Sequence, residues 1–142
     1  MRLEEKRWVE RHKDEAFEYA ADFSNIQDWD PGVVASRKLT PGPVAKGTEF
    51  ELEVKFGSGT TPMIYEITEY EPNSKVVLVG RGEKLEAIDE IRFDTQDNMT
   101  AIDYTADLTF HNYYKYLGPL LSKPLKKVGT QALDGLAAQL DR

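Results

Sequence analysis

The sequence predicts an α+β fold, an antiparallel meander closed by one long C-terminal helix, with two short helices after the first strand. Three observations carry this. From Thr48 to Phe110 apolar residues recur at every second position in segments separated by tight-turn residues, the pattern of strands with one buried face. From Leu117 to Leu140 leucine, valine and alanine recur at steps of three and four, the period of a helix. Between the first strand and the meander lies ADFSNIQDWDPGV, too rich in caps and breakers for a long element.

Each element follows from its residues. Leu3 to Glu10 reads as a first strand of poor alternation. Asp14 is placed to cap a helix, with Glu15 in its first turn and Phe17, Ala20 and Ala21 on one face. Ser24-Asn25-Ile26-Gln27 has the form of a capping box and starts a second short helix. That helix must end by Asp30, because Pro31 drives the preceding residue into extended conformation and Gly32 completes a turn. Thr48 to Phe56 is the clearest strand, with Phe50, Leu52, Val54 and Phe56 on one face and Glu49, Glu51, Glu53 and Lys55 on the other. After a turn at Gly57-Ser58-Gly59, Met63, Tyr65 and Ile67 line the next strand, which stops near Pro72-Asn73. Lys75 to Val79 is a short apolar strand, broken by Gly80-Arg81-Gly82. Leu85 to Asp94 and Thr100 to Phe110 follow, joined through Gln96-Asp97-Asn98, and short connections of this kind make hairpins. In the final helix Leu117, Leu121, Leu125, Val128, Ala132, Leu136 and Leu140 form the apolar stripe, and Pro119 and Pro124 disturb its first half.

The totals bound the function. The 142 residues read as one domain, 1–142, large enough for a core of its own. With no cysteine there is no disulfide, thiolate nucleophile or thiolate metal ligand, and a reducing compartment is suited. No apolar run approaches a membrane span and the charged start has no signal-peptide core, so the expectation is a cytoplasmic protein. The net charge of −7 is uneven: residues 1–110 carry −10 and residues 111–142 carry +3, with four lysines and no acid between Tyr113 and Thr130. The acidic bulk opposes nucleic-acid binding. His12 and His111 lack partners at ligand spacing, so no metal is expected, and no cofactor motif is present. No G-x-S-x-G nucleophile elbow occurs either.

The element order, the wording FEYAADFSNIQDWDPGV near the start and the closing GTQALDGLAAQL resemble the START/polyketide-cyclase-like superfamily of helix-grip proteins. The matching positions are Phe17, Trp29, Pro31 and Gly32, then Gly47-Thr48, Tyr65-Glu66-Ile67 and Leu136; they mark a fold and not a reaction. The resemblance covers nearly the whole chain. It implies a curved antiparallel sheet of about six to seven strands wrapped on the C-terminal helix, with a cavity between them for a hydrophobic ligand.

Within that frame, inward-facing polar groups are the candidates for chemistry. Asp89 shares a face with Ala87, Ile91 and Phe93, and a carboxylate there is either a perturbed site group or a structural ion pair reaching solvent. Arg81 is its nearest sensible partner by sequence. Tyr65 and Tyr104 also point inward, where each phenol needs a partner, from the protein, from water or from a ligand. Phe50, Leu52, Val54, Met63, Ile67, Ile102, Leu108 and Leu121 are expected to supply core or cavity wall, and Trp29 to be a plug beside the entrance that also walls the pocket; these nine with Tyr65, Asp89 and Tyr104 are the twelve expected ligand contacts. Asp28 and Asp30 read as solvated caps of the turn.

Three functions follow. The first is binding, and with it transport or sequestration, of a small hydrophobic or aromatic molecule. The second is a polyketide cyclase or dehydratase using the same cavity, with Asp89, Arg81, Tyr65 and Tyr104 as acid–base and carbonyl-orienting groups. The third is peripheral contact with a membrane or protein through Lys123, Lys126 and Lys127, preceded by Tyr113, Tyr114 and Tyr116.

Overall fold

The computed structural model describes the backbone of residues 1–142 and the surroundings of every residue but Tyr113 and Gly118. Strand β1 (Arg2–Val9) leads into helix α1 (Lys13–Ala21) and a 3₁₀ helix, η1 (Phe23–Asp28). Strands β2 (Val33–Lys38), β3 (Glu49–Phe56), β4 (Gly59–Glu71), β5 (Lys75–Gly82), β6 (Leu85–Gln96) and β7 (Met99–Phe110) follow. A second 3₁₀ helix, η2 (Asn112–Leu117), runs into the long helix α2 (Gly118–Leu140).

All seven strands form one sheet in the order β1-β7-β6-β5-β4-β3-β2, every pair antiparallel. It is a curled half-barrel, and with the C-terminal helix and the short helices it makes the helix-grip α+β fold. The meander is sequential, and only β1 leaves it, returning to β7 with Arg2 opposite Asp107 and Val9 opposite Thr100. The Met1 amino group donates to the Leu108 carbonyl oxygen at 2.9 Å and extends this seam. Asp97 and Asn98 both have positive φ, as the tight β6–β7 turn demands.

Local departures from the sequence reading have simple causes. Strand β2 was not foreseen: VVASRK alternates poorly and buries only Val33, with a register shift between Val33 and Ala35. Asp14 does not cap α1. The cap position is His12, and Asp14 sits in the first turn, where its Oδ1 accepts from the Glu15 amide. The capping box does not form either. Asp22 caps η1 by accepting from the Ser24 amide at 3.0 Å, while Gln27 is drawn away to accept from the Ser36 amide at 2.8 Å. Strand β5 does not break at Val79; Gly80 and Arg81 remain in register with Ala87 and Glu86. The poor alternation of β1 also has a reason. Its inward positions Glu5 and Arg7 meet helix α2, where Arg7 Nε donates to Asp134 at 2.9 Å and Arg7 Nη2 to the Thr130 carbonyl oxygen at 3.2 Å.

The core lies between the concave face of the sheet, the short helices and the second half of α2, with Phe17, Phe23, Phe50, Ile67, Ile91 and Leu136 fully buried. Gly135 lets α2 approach: a Cβ there would stand 2.2 Å from the Trp29 carbonyl oxygen. The first half of α2 is different. Between Pro119 and Val128 no described residue is buried, and Leu120 is 76 % exposed.

Candidate functional site

Strand β6 buries alternate residues from Leu85 to Phe93, and this alternation carries Asp89 inward at 4 % exposure. Asp89 sits opposite Ala106, and Ile91 opposite Tyr104, so Tyr104 is the diagonal neighbour of Asp89 on the same face. The Tyr104 hydroxyl donates to Asp89 Oδ2 at 2.9 Å. Burial pushes the Asp89 carboxyl up to about 7; the Tyr104 hydrogen bond opposes this, and the charges of Asp30 and Asp107 add to it. Burial, then the Asp89 charge, drives the Tyr104 phenol well above its ordinary range.

Tyr65 approaches from β4. Its ring lies over Gly80 of the neighbouring strand, where a Cβ would stand 2.5 Å from the ring carbon bearing the hydroxyl. Gly80 is thus a seat for Tyr65 in mid-strand rather than hairpin punctuation. Phe23 packs against the other side of the tyrosine at 5.5 Å between ring centroids. Among the described residues the Tyr65 hydroxyl has no hydrogen bond, and burial raises its pKa well above the ordinary value.

Asp30, read from sequence as a solvated cap, turns inward. It does cap the turn, since its Oδ1 accepts from the Gly32 amide at 2.7 Å. The residue is half-buried by surface, its side lining a space shared with Ile26, Leu52, Val54 and Val128, and burial of the carboxyl pushes it up to about 6, against the pull of the Gly32 amide and of Lys55. Sequence spacing gave no hint of this, because the turn's entry angle decides which way Asp30 faces.

These groups line one half-enclosed cavity of about 130 Å³. Its floor is sheet: Leu52 and Val54 of β3, Met63 and Tyr65 of β4, Asp89 of β6 and Tyr104 and Leu108 of β7. Its roof is Leu125, Val128, Gly129 and Ala132 of α2, and Asp30, Gly32 and Lys55 stand at one side. Seven of the twelve residues expected to contact a ligand therefore meet here: Leu52, Val54, Met63, Tyr65, Asp89, Tyr104 and Leu108. Phe50, Ile67 and Ile102 are fully buried in the core away from the cavity. Leu121 is half-buried a turn too early in α2, and Leu125 takes the place expected for it.

Two expectations need correction. Arg81 does not pair with Asp89. One residue beyond Gly80, it faces the outer surface, exposed, with Glu86 at 3.9 Å. Strand alternation makes this unavoidable once β5 continues through Gly80. Trp29 does not line the cavity. It is a plug at 3 % exposure, packed edge-on against Phe23 at 6.3 Å, and its indole Nε1 has no partner among the described residues.

The remaining candidates lie elsewhere. His12 Nδ1 contacts Asp14 Oδ1 at 2.7 Å and His111 Nδ1 the Glu83 carbonyl oxygen at 3.3 Å, and no metal-binding cluster occurs among the described residues. Lys123, Lys126 and Lys127 are exposed on α2 and Tyr116 on η2, whereas Tyr114 packs on Phe56 at 5.3 Å. Tyr113 lies outside the described residues. No described helix is long and apolar enough to cross a membrane.

No curated protein sequence matches this chain. Among solved structures, a Thermus thermophilus protein, TTHA0849, is 12 % identical at a TM-score of 0.83, covering 99 % of this chain and 97 % of its own. The Zhui aromatase/cyclase of a Streptomyces species is 15 % identical at 0.83, covering 100 % and 94 %. A START superfamily protein of Mycobacterium smegmatis is 14 % identical at 0.70, covering 99 % and 94 %. At such identities these likenesses establish the fold alone. The family model for polyketide cyclase/dehydrase and lipid transport proteins, however, matches residues 1–141, and the chain belongs to that family, within the START/polyketide-cyclase-like superfamily.

Proposed function

We propose that this protein binds a small hydrophobic or aromatic molecule in the cavity between the sheet and α2. The observation that supports this most directly is the cavity's composition, apolar walls around one buried hydrogen-bonded pair, Asp89–Tyr104, with the Tyr65 hydroxyl beside it. That is the make-up of a ligand site, in which apolar area supplies affinity and a few polar groups fix orientation. At about 130 Å³ the cavity is smaller than the roughly 300–1,000 Å³ of drug-sized pockets, so it suits a compact occupant. Native mass spectrometry of the purified protein, with organic extraction of anything it carries, tests the reading. A discrete adduct lost on denaturation and weakened by Tyr104→Ala supports it. An apo mass, with no rise in melting temperature across a panel of lipophiles, removes it.

One observation favours a second reading, a cyclase or dehydratase. A carboxyl raised to about 7 and joined to a phenol is poised to exchange protons near neutral pH, as general acid–base catalysis needs. Asp89→Asn separates the two readings: turnover of a polyketide-like substrate is lost if Asp89 is a catalytic residue, while binding of an apolar ligand persists.

A further inference from the structure

The cavity holds more hydrogen-bond acceptors than donors, and the excess points to a particular kind of occupant. Asp89, 4 % exposed, receives one hydrogen bond, from Tyr104 to Oδ2, and its Oδ1 has no donor among the described residues. Asp30 spends Oδ1 on the Gly32 amide, and its Oδ2 likewise has none. The Tyr65 hydroxyl, on a residue 7 % exposed, reaches the same cavity and is also without a hydrogen bond among the described residues. Three unmatched oxygens thus face a space of about 130 Å³. These oxygens keep accessible area in the space they face, so an entering donor would take the place of solvent there, and a carboxylate among apolar walls favours a donor that carries positive charge.

The charges lining the space are also unbalanced. Two carboxyls face one base, Lys55, which is exposed and acts on Asp30. Arg81 points away, and the α2 residues that roof the cavity, Leu125, Val128, Gly129 and Ala132, carry no charge. A neutral occupant leaves the imbalance as it is, and an anion worsens it. The chain's net charge of −7 adds a long-range attraction for cations.

We propose that the cavity selects a compact molecule bearing a protonated amine, the ammonium received by Asp89 and Asp30, the Tyr65 hydroxyl beside it, and the apolar part held under Leu125 and Val128. This deepens the ligand-binding reading above and rests on it. The volume sets the scale: an apolar cavity of roughly 150 Å³ takes up benzene, so one ring with a short arm is the size expected here. A bound cation favours the ionised carboxylates, so affinity should rise with pH as Asp30 and Asp89 lose their protons. The groups facing Asp89 are Tyr104 on β7, Tyr65 on β4 and Asp30 before β2, with Lys55 on β3 near Asp30 and Asp107 acting from the outer side of β7. The Asp30 and Asp89 carboxyls, raised to about 6 and about 7, titrate across that window, and the Tyr65 and Tyr104 phenols, driven well above their ordinary range, do not.

The test uses three probes of one shape, benzylamine, benzyl alcohol and benzoate, titrated into the full chain at pH 5 and pH 8 by calorimetry and ligand-observed NMR. At pH 8 benzylamine should bind about tenfold or more tightly than benzyl alcohol, with the preference shrinking at pH 5 and benzoate weakest. Asp89→Asn and Asp30→Asn should each weaken benzylamine more than benzyl alcohol and so erode the amine preference, with thermal unfolding confirming that both variants fold. Benzyl alcohol binding as tightly as the amine overturns this proposal while leaving a ligand cavity in place. So does an amine preference that survives both substitutions, which marks attraction to the acidic surface. If none of the probes binds the folded protein, the amine proposal falls, and the lipophile panel and native mass spectrum then decide the ligand-binding reading by themselves.

Discussion

The two halves of helix α2 share one apolar period but lead different structural lives. From Gly129 to Leu140 the stripe is buried: Ala132, Leu133, Leu136 and Leu140 are at most 4 % exposed, and Gly135 brings the helix backbone onto Trp29. From Pro119 to Val128 the same spacing buries no described residue, Pro124 removes a backbone donor, and Lys123, Lys126 and Lys127 face water. The second half anchors the fold. The first covers the cavity through Leu125 and Val128 and contributes little else. Periodicity alone tells which face a helix presents; it does not tell whether that face meets a core or a space.

Matched truncations break the comparison most directly. Leu136→Ala removes a fully buried side chain and should cost about 2–5 kcal/mol in denaturant unfolding. Leu125→Ala, on the half-buried roof, should cost about 1 kcal/mol or less and enlarge the cavity, readable as uptake of bulkier apolar probes. Equal costs would show that both halves belong to one core.

Acidity gives the next largest effect. Asp89 and Asp30 have folded pKa values raised to about 7 and about 6, above the unfolded 3.8, so the folded state binds the extra protons between these values. The stability these two groups contribute is therefore fully present below the unfolded pKa and is lost as pH rises from about 4 through 7. Asp89→Asn should flatten the upper part of this fall and gain about 2–4 kcal/mol over wild type at pH 8, measured by urea unfolding across pH. A difference between wild type and Asp89→Asn that does not grow with pH over this range would sink the claim of a buried carboxyl with a raised pKa.

A smaller change sharpens the seat of Tyr65. Gly80→Ala places a methyl group against the tyrosine ring and should cost about 1–3 kcal/mol, with loss of whatever contact the hydroxyl makes to a ligand. Tyr65→Phe in the same background separates packing from polarity: the ligand effect of Gly80→Ala should vanish there and the stability cost remain. The smallest effect belongs to the cover half's surface. Exchanging Lys123, Lys126 and Lys127 for glutamate should move stability by less than about 1 kcal/mol, and any loss of binding to anionic vesicles would reveal a peripheral membrane role.

The inward faces of β3, β4, β6 and β7 were legible in the sequence because each side chain's direction there depends on a period of two. That is why Tyr65, Asp89 and Tyr104 were found without a structure. Asp30 and Arg81 were misread for the opposite reason. Asp30 lies in a turn, where a few backbone angles decide between solvent and cavity, and Pro31-Gly32 conceals which. Arg81 was assigned by proximity in sequence, on the assumption that glycine ends a strand. Gly80 instead makes room for a ring on the neighbouring strand, a relation that exists only once the register is known. The edge strand β2 escaped because it buries one residue and so carries almost no pattern.

The return of β1 to β7 also bears on how the chain reaches this state. Every other strand pairs with its neighbour in sequence, so the ribbon from β2 to β7 can assemble from short-range contacts. Strand β1 has no partner until residues 99–110 have been made, since Arg2 lies against Asp107 and the Met1 amino group against Leu108. Closing that seam joins the first strand to the last across a sequence separation longer than the meander itself. Whenever β1 is unpaired, Leu3, Val9 and the β7 edge lose their cover together, so this one seam decides whether the sheet ends in a strand or in an open edge.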